Sequence, residues 1–277
     1  MQADVATAVP PRARSAVAFF AVALGLAIPI WALSRYVGVI GALKVPVTDL
    51  LLAFTPLVAG AVLVVRDEGA AGLARFLARC VDLRSLARSG WLPVVLLLAP
   101  AVYALTSLGL HLAGHPGAPS LDLVRLPILA AIMFLLAIGE EAGWTGYLLD
   151  PLQARFGALG ASLIIALPWW LGHVRSILEI GGGAGDLAWW FPGAIALRIL
   201  MTWLYNNSRG SVAAAVLFHT VLNVGRAASY PTIGSHYDPA YQAVGYAILS
   251  VIAIAVVAIW GPSTLARQPR RGGSSGK

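Results

Sequence analysis

Two adjacent glutamates, Glu140 and Glu141, end the apolar run "LPILAAIMFLLAIG". A charged side chain inside a bilayer costs about 2.5 kcal/mol or more, so such residues usually face the interior of a helix bundle and mark a functional site. In apolar surroundings Glu140 suits a general base that takes a proton from water and later passes it on. His173, in "PWWLGHVRS", could hold or help to deprotonate that water. These residues predict a site that activates water.

A second polar pair lies in "LFHTVLN", where His219 and Asn223 are four residues apart. This spacing places both on one face of a helix, so their side chains can converge on a single point. Two convergent hydrogen-bond donors in a dry site stabilise an oxyanion. A structural role remains open, because such a pair can also join two helices and a lone histidine often serves packing. The similar estimated depth of the two pairs, in a bundle expected to hold no other carboxylate, favours a site.

Arg198 is the only basic residue in the interior of a predicted span, at nearly the same estimated depth as the glutamates. Glu141 points about 100° away from Glu140 around the helix, so the two carboxylates should have different roles. A buried charge is costly without a partner. We therefore predict that Arg198 pairs with Glu141, with Thr145 as a minor hydrogen-bond partner. In the alternative, the Arg198 side chain extends to the membrane surface and never meets the site.

Composition identifies the compartment in which these residues work. The chain has 277 residues, of which 59% are hydrophobic and 11% charged, with a mean hydropathy of +0.80. Soluble domains are nearer a quarter charged, so we predict an integral membrane protein. Eight runs are long enough to cross a bilayer: 15–33, 48–65, 91–112, 123–149, 158–178, 187–205, 211–225 and 240–260.

The basic residues indicate topology rather than a nucleic-acid partner. The net charge is +7, and most of the 19 lysines and arginines fall on one side if both termini are cytoplasmic. We therefore expect no nucleic-acid binding and a multi-pass protein with both termini inside. The single cysteine, Cys80, can form neither an intramolecular disulfide nor a cysteine-ligated metal site.

One domain accounts for the whole chain. We predict a cytoplasmic N-terminal segment at 1–14, a single transmembrane domain at 15–260 and a disordered basic tail at 261–277. Residues 66–90 have the apolar spacing of an amphipathic helix on the membrane surface. "GGGAGD" lacks the lysine of a phosphate loop and should be a turn in which Asp186 caps the next helix. The tryptophan pairs at 169–170 and 189–190 are typical of an interfacial belt.

Three motifs, "EEAGWTGYLLDPLQ", "WWLGH" and "TWLYNNSRGSVAAAVLFHTVLN", occur in this order. Together they resemble the CPBP family of intramembrane peptidases (CAAX proteases and bacteriocin-processing enzymes, also called Abi), and in particular its type II CAAX prenyl endopeptidases. The resemblance covers a core of about residues 123–225. It implies an all-α membrane bundle in which a glutamate and a histidine activate water and a histidine and an asparagine stabilise the oxyanion. In this chain the family's pattern falls on these residues: Glu140, Glu141, Trp169, His173, His219 and Asn223.

One position departs from the family pattern. Thr145 stands where an arginine is usual, four residues after Glu141. The change removes the nearest positive partner of Glu141 and leaves a hydroxyl, which puts turnover itself in question.

We expect no cofactor. Glu140, His173 and His219 could supply a zinc site, because histidine and carboxylate are ordinary zinc ligands. No His-Glu-x-x-His helix brings two imidazoles together here, so a metal-independent mechanism is favoured.

The sequence therefore predicts an all-α polytopic bundle that acts as an intramembrane endopeptidase. Its substrate would be a membrane-associated protein or peptide held at the cytoplasmic side, and nothing in the residues selects among such substrates. An ion-coupled transporter could use the same carboxylates as a relay, but we find no repeated halves. A non-catalytic scaffold or immunity protein of the same fold is the third hypothesis, which Thr145 keeps open.

Overall fold

A computed structural model describes residues 14–40, 45–115, 124–179, 181–228 and 239–266. The predicted all-α class is confirmed: in these residues the only strands are a two-residue antiparallel pair, β1 (Val39–Ile40) and β2 (Val45–Pro46). The helices are α1 (Ala16–Val37), α2 (Val47–Leu52), α3 (Thr55–Cys80), α4 (Leu83–Ser89), α5 (Leu92–Leu112), α6 (Leu126–Gly143), α7 (Leu149–Glu179), α8 (Ala184–Asn207), α9 (Val212–Ala228) and α10 (Pro239–Trp260), with a π-helical turn at Trp144–Leu148.

Within the described ranges, 6 helical stretches are long and apolar enough to cross a membrane. The stretch Leu126–Glu179 has 54 residues and contains both the fourth and the fifth predicted span. The predicted seventh span corresponds to α9, which is apolar but only 17 residues long. The prediction of about eight passages therefore agrees with the structure once the long stretch is divided and the short helix is included.

Two glycines divide long helices. Gly69 in α3 and Gly157 in α7 have φ values of 68° and 70°, in a region that side chains disfavour. The break at Gly157 frees the backbone N–H groups of the second arm of α7. Ala158 and Leu159 donate these groups to the carbonyls of Ser263 and Pro262, at 2.8 and 2.9 Å. The chain after α10 therefore caps the arm that carries the middle motif.

This capping changes the predicted boundary of the C-terminal tail. Residues 261–266 belong to the packed structure, since the side chain of Leu265 is fully buried and its carbonyl accepts a hydrogen bond from Asn207 at 2.8 Å. Residues 267–277, the rest of the predicted disordered tail, lie outside the described residues, as do residues 1–13 of the predicted N-terminal segment.

The segment 66–90 differs from the predicted surface helix. It comprises the end of α3, bent at Gly69, followed by α4. Phe76, Cys80 and Leu86 on its apolar face are buried in the bundle, whereas Leu77 and Leu83 are exposed. The apolar spacing predicts a helix face in contact with lipid, but half of that face packs against protein.

The cap of α8 also differs from the prediction. The helix begins at Ala184 with Gly183 as its N-cap, and Asp186 lies in the first turn. The Asp186 carboxylate accepts a hydrogen bond of 2.8 Å from the backbone N–H of Gly183. Asp186 therefore caps the helix from inside its first turn, through the single bond that a glycine N-cap allows, and its prediction as the N-cap itself was wrong.

Close contact with the α2–α3 junction positions the end of α6. A Cβ atom at Gly139 would lie 2.7 Å from the carbonyl oxygen of Ala53, and one at Gly143 would lie 2.2 Å from that of Pro56. Only glycine allows the backbones to approach so closely at these two positions. The two glutamates lie between these glycines, so this contact sets their depth in the bundle.

Candidate active site

The predicted site residues come from four helices, α6, α7, α8 (Arg198) and α9, and from the π-helical turn that carries Thr145. Glu140 on α6, His173 on α7, and His219 and Asn223 on α9 all line one cavity of about 540 Å³. Trp169 lines it as well. The remaining predicted residues lie behind this wall, in the protein interior: Glu141, Thr145 and Arg198.

The predicted ion pair between Arg198 and Glu141 is confirmed. Arg198 Nη2 lies 2.6 Å from Glu141 Oε2, and the two side chains are 3% and 0% exposed. Thr145 Oγ1 donates to the same oxygen at 2.6 Å, which confirms its predicted role as a partner. The arginine therefore does not extend to the membrane surface. Its charge replaces, from a different helix, the arginine that the motif lacks at position 145.

The second oxygen of Glu141 contacts α9. His219 Nδ1 lies 3.0 Å from Glu141 Oε1. An ionised carboxylate only accepts hydrogen bonds, so Nδ1 carries a proton and Nε2 is the ring nitrogen left for the cavity. That nitrogen donates a hydrogen bond only when the ring carries a second proton.

Glu140 is held by Trp169. The indole Nε1 donates to Glu140 Oε2 at 2.5 Å. The ring of Trp169 also packs edge-on against the imidazoles of His173 and His219, with centroids 5.3 and 5.7 Å apart, and the Arg198 guanidinium lies 5.0 Å from its centroid. Trp169 therefore contacts four charged or titratable groups of the site: Glu140, His173, His219 and Arg198. Glu141 is not among them.

His173 has a defined tautomer. Its Nδ1 lies 2.8 Å from the backbone carbonyl oxygen of Trp169, one turn earlier on α7. Because a carbonyl only accepts, Nδ1 carries a proton, and in the neutral ring Nε2 is the nitrogen with the lone pair. The imidazole is thus fixed as a group that can accept a proton or a hydrogen bond from water.

The tryptophan pairs correct the prediction of an interfacial belt. Trp169 and Trp190 are buried at 4% and 6% exposure, and their rings are 5.2 Å apart beside the site. Trp189 is exposed and Trp170 partly so, as a belt residue would be. Helical spacing explains the difference. Adjacent residues point about 100° apart around a helix, so at the edge of the bundle one can face protein while the other faces outward.

A π-helical turn directly after the two glutamates was not predicted. Its Gly146 carbonyl accepts two hydrogen bonds, from Arg14 Nη1 at 3.0 Å and from Arg79 Nη1 at 3.1 Å. Arg79 also donates to the hydroxyl of Tyr205, at 3.2 Å. A π-turn widens the helix and leaves carbonyls without their usual partners. The two arginines satisfy one such carbonyl and hold the end of the glutamate-bearing helix.

Asp49 is a functional candidate that sequence reasoning missed. It lies on α2 and lines the same cavity as Glu140 and His173, so the expectation of no further carboxylate in the bundle was wrong. Ser176 Oγ donates to Asp49 Oδ1 at 2.7 Å. Asp49 is the second residue of the predicted span 48–65. The cost of a charged side chain in a membrane span, which marks Glu140 in the sequence, therefore marks Asp49 as well.

The three residues suggested as zinc ligands each make a hydrogen bond within the site. Among the described residues, no group of three or more His, Cys, Asp or Glu side chains is arranged to hold a metal ion. Glu140 accepts from Trp169, while Nδ1 of His173 and of His219 contacts a carbonyl and a carboxylate oxygen, an arrangement that histidine zinc ligands also adopt.

The long apolar helices define an integral, multi-pass membrane protein of the α-helical class. Residues 122–225 match the family model described as type II CAAX prenyl endopeptidase Rce1-like. The resemblance inferred from the three motifs is thereby confirmed over this region. The chain is also 29% identical over 150 residues to CAAX prenyl protease 2 of Methanococcus maripaludis. That match covers 49% of this chain and 55% of the relative, so the chain spans about half the length of that relative.

Proposed function

We propose that this protein is an intramembrane CAAX-type endopeptidase that hydrolyses a peptide bond of a membrane-associated protein or peptide. The observation that carries the proposal is the convergence of Glu140, His173, His219 and Asn223 on one cavity of about 540 Å³. The match of residues 122–225 to a peptidase family supports it independently.

In the proposed reaction Glu140 is the general base. Water bound between Glu140 and His173 gives a proton to Glu140, and its oxygen bonds to the carbonyl carbon of the substrate. The peptide C–N bond then breaks, and Glu140 passes the proton to the departing amine nitrogen. The hydrogen bond from Trp169 fixes the Glu140 carboxylate, and the unprotonated Nε2 of His173 orients the water. No metal takes part in this scheme.

The negative charge on the substrate oxygen needs donors on the opposite side. Asn223 can donate through its amide, and His219 through Nε2 when the ring is doubly protonated. Glu141 orients that ring through Nδ1, and Arg198 holds the Glu141 carboxylate in place. Glu141 and Arg198 therefore serve the reaction through His219 rather than by contact with substrate.

The orientation of the protein belongs to the proposal as well. Both termini lie in the cytoplasm, because the positive-inside rule favours that arrangement of the basic residues. On the predicted spans, the glutamates then lie about 15 Å below the cytoplasmic face. A substrate anchored in the membrane from that side would reach them.

The proposal is tested by hydrolysis with the purified protein in proteoliposomes, using a lipid-anchored reporter peptide and mass spectrometry of the products. Glu140→Gln should abolish turnover while the protein stays folded and binds the peptide, because volume is kept and only basicity is lost. His219→Ala and Asn223→Ala should each lower kcat about a hundredfold, as the loss of an oxyanion donor does. Asp67→Asn, which removes an exposed carboxylate paired with Arg66, is the matched control. Wild-type rates in Glu140→Gln would reject the assignment.

A further inference from the structure

Asp49 gives the cavity a carboxylate that the proposed reaction does not use. It comes from α2, outside the region 122–225 that matches the peptidase family. Ser176 holds one of its oxygens at 2.7 Å, and Ser176 lies three residues after His173 on α7. Asp49 is therefore fixed about one helical turn from a predicted catalytic residue while belonging to a different part of the chain.

Within the described ranges no lysine, arginine or histidine nitrogen forms an ion pair with Asp49. Among the nearby charges, His173 attracts the Asp49 carboxylate, while Glu179 and Glu140 repel it.

The nearest arginine along α7 is already engaged. Arg175 Nε pairs with Glu179 at 2.5 Å, and its Nη1 donates to the backbone carbonyl of Trp31 at 2.6 Å. Arg226 lines the same cavity from α9. Arg175 is therefore committed to Glu179 and Trp31, and the described contact of Asp49 is its bond with Ser176.

A carboxylate on a largely apolar wall is costly until a cation or several donors satisfy it. Ser176 supplies one neutral donor to one oxygen. An incoming ammonium or guanidinium would supply a charge-assisted hydrogen bond and neutralise the Asp49 carboxylate. Asp49 is thus complementary to a positively charged ligand.

We propose that Asp49, held by Ser176, forms a subsite that binds a positively charged side chain of the substrate. This inference rests on the proposed peptidase function and adds substrate selectivity to it. Because His173 and Ser176 are separated by a rise of about 4.5 Å, and an extended peptide advances about 3.3 Å per residue, the charged residue would lie within about two positions of the cleaved bond.

The test uses sets of lipid-anchored peptides in which one residue is lysine, norleucine or glutamate. Separate sets place this variable residue at each of the three positions on either side of the cleaved bond. At one position the wild type should cleave the lysine peptide about tenfold or more better than the norleucine peptide, measured as the ratio of kcat/KM values. Asp49→Asn should bring that ratio close to one. Asp49→Lys should invert the preference in favour of glutamate.

Two further variants separate charge from folding. Asp49→Glu keeps the charge and should keep a preference for lysine, while Asp67→Asn removes a carboxylate outside the cavity and should leave the ratio at its wild-type value. The Tm of each variant reports folding. An unchanged lysine-to-norleucine ratio in folded Asp49→Asn, or no preference for lysine at any position in the wild type, would overturn the inference.

A binding measurement distinguishes failure of the subsite from failure of the peptidase proposal. In Glu140→Gln protein, the Kd of the lysine peptide should be lower than that of the norleucine peptide, and Asp49→Asn should remove the difference. Selective binding without hydrolysis by the wild type would keep the subsite and reject the peptidase. Hydrolysis without Asp49-dependent selectivity would do the opposite.

Discussion

The indole nitrogen of Trp169 donates a 2.5 Å hydrogen bond to the carboxylate of Glu140, and the same ring contacts the Arg198 guanidinium at 5.0 Å from its centroid. One buried side chain on α7 therefore contacts both the proposed base and the arginine that pairs with Glu141. This contact also fixes the position of α7 relative to α6. A purely apolar ring at this position could pack against the guanidinium but could not donate a hydrogen bond to Glu140.

The first prediction concerns that N–H group. Trp169→Phe keeps an aromatic ring but removes the donor, so Glu140 loses its fixed orientation. Hydrogen bonds to charged groups contribute about 1.5 to 3 kcal/mol, so kcat should fall about ten- to hundredfold while the protein stays folded. Steady-state hydrolysis and thermal unfolding in detergent measure the two effects.

The adjacent tryptophan provides the control for this prediction. Trp170 donates its indole N–H to the carbonyl of Leu187 at 3.4 Å and does not line the cavity. Trp170→Phe should therefore leave kcat within about twofold of the wild type. Equal losses in the two variants would mean that the effect comes from packing and not from the bond to Glu140.

The second prediction concerns metal. Since the described residues offer no group of three ligands, hydrolysis should persist after dialysis against a strong chelator, at about the wild-type rate. The measurement pairs the activity assay with elemental analysis of the same sample. Stoichiometric zinc, with activity lost on chelation and restored by metal, would refute the metal-independent scheme.

The Arg198–Glu141 pair shows what could be predicted from sequence alone. A single arginine and a carboxylate at similar depth in an apolar bundle each need a partner, and that cost identifies the pair without coordinates. The spacing of His219 and Asn223 predicted a shared face in the same way.

Other features were not predictable by that route. The bond between Trp169 and Glu140 joins residues 29 positions apart, and its geometry depends on how α6 packs against α7. The π-turn at Trp144–Leu148 depends on Arg14 and Arg79, which approach Gly146 from distant parts of the chain. Local patterns predict which residues need a partner, but the packing of the helices determines which partner each one meets.

The third prediction concerns the glycine that allows α6 to approach the α2–α3 junction. Gly143→Ala would bring its Cβ to 2.2 Å from the carbonyl oxygen of Pro56, so α6 must shift. We expect a loss of about 1 to 3 kcal/mol in the free energy of unfolding, as overpacking causes, together with reduced hydrolysis. Gly25→Ala on α1 is the control, because its Cβ meets nothing within 4 Å. Its stability should be unchanged or slightly higher, and an equal loss in both variants would contradict the packing argument.

The fourth prediction concerns the contribution of the Arg198–Glu141 pair to the free energy of unfolding. Arg198→Met and Glu141→Gln should each lower the free energy of unfolding by about 3 to 5 kcal/mol, because each leaves one group buried without its partner. The double mutant should recover much of that loss. Strictly additive effects in the double-mutant cycle would show that the two residues do not stabilise one another.

The fifth prediction concerns the position from which the positive charge comes. Thr145 Oγ1 and Arg198 Nη2 both lie 2.6 Å from Glu141 Oε2, so an arginine at 145 would compete with Arg198 for one oxygen. Thr145→Arg alone should cost about 3 kcal/mol or more, from an excess buried charge and from overpacking at a position that is 2% exposed. Combining it with Arg198→Met restores a single cation, and this double mutant should be more stable than Thr145→Arg and should regain hydrolysis. Thr145→Val is the control, since it removes only one hydrogen bond and should cost about 1 to 2 kcal/mol. If the double mutant is no more stable than Thr145→Arg alone, the two positions are not interchangeable sources of the charge that holds Glu141.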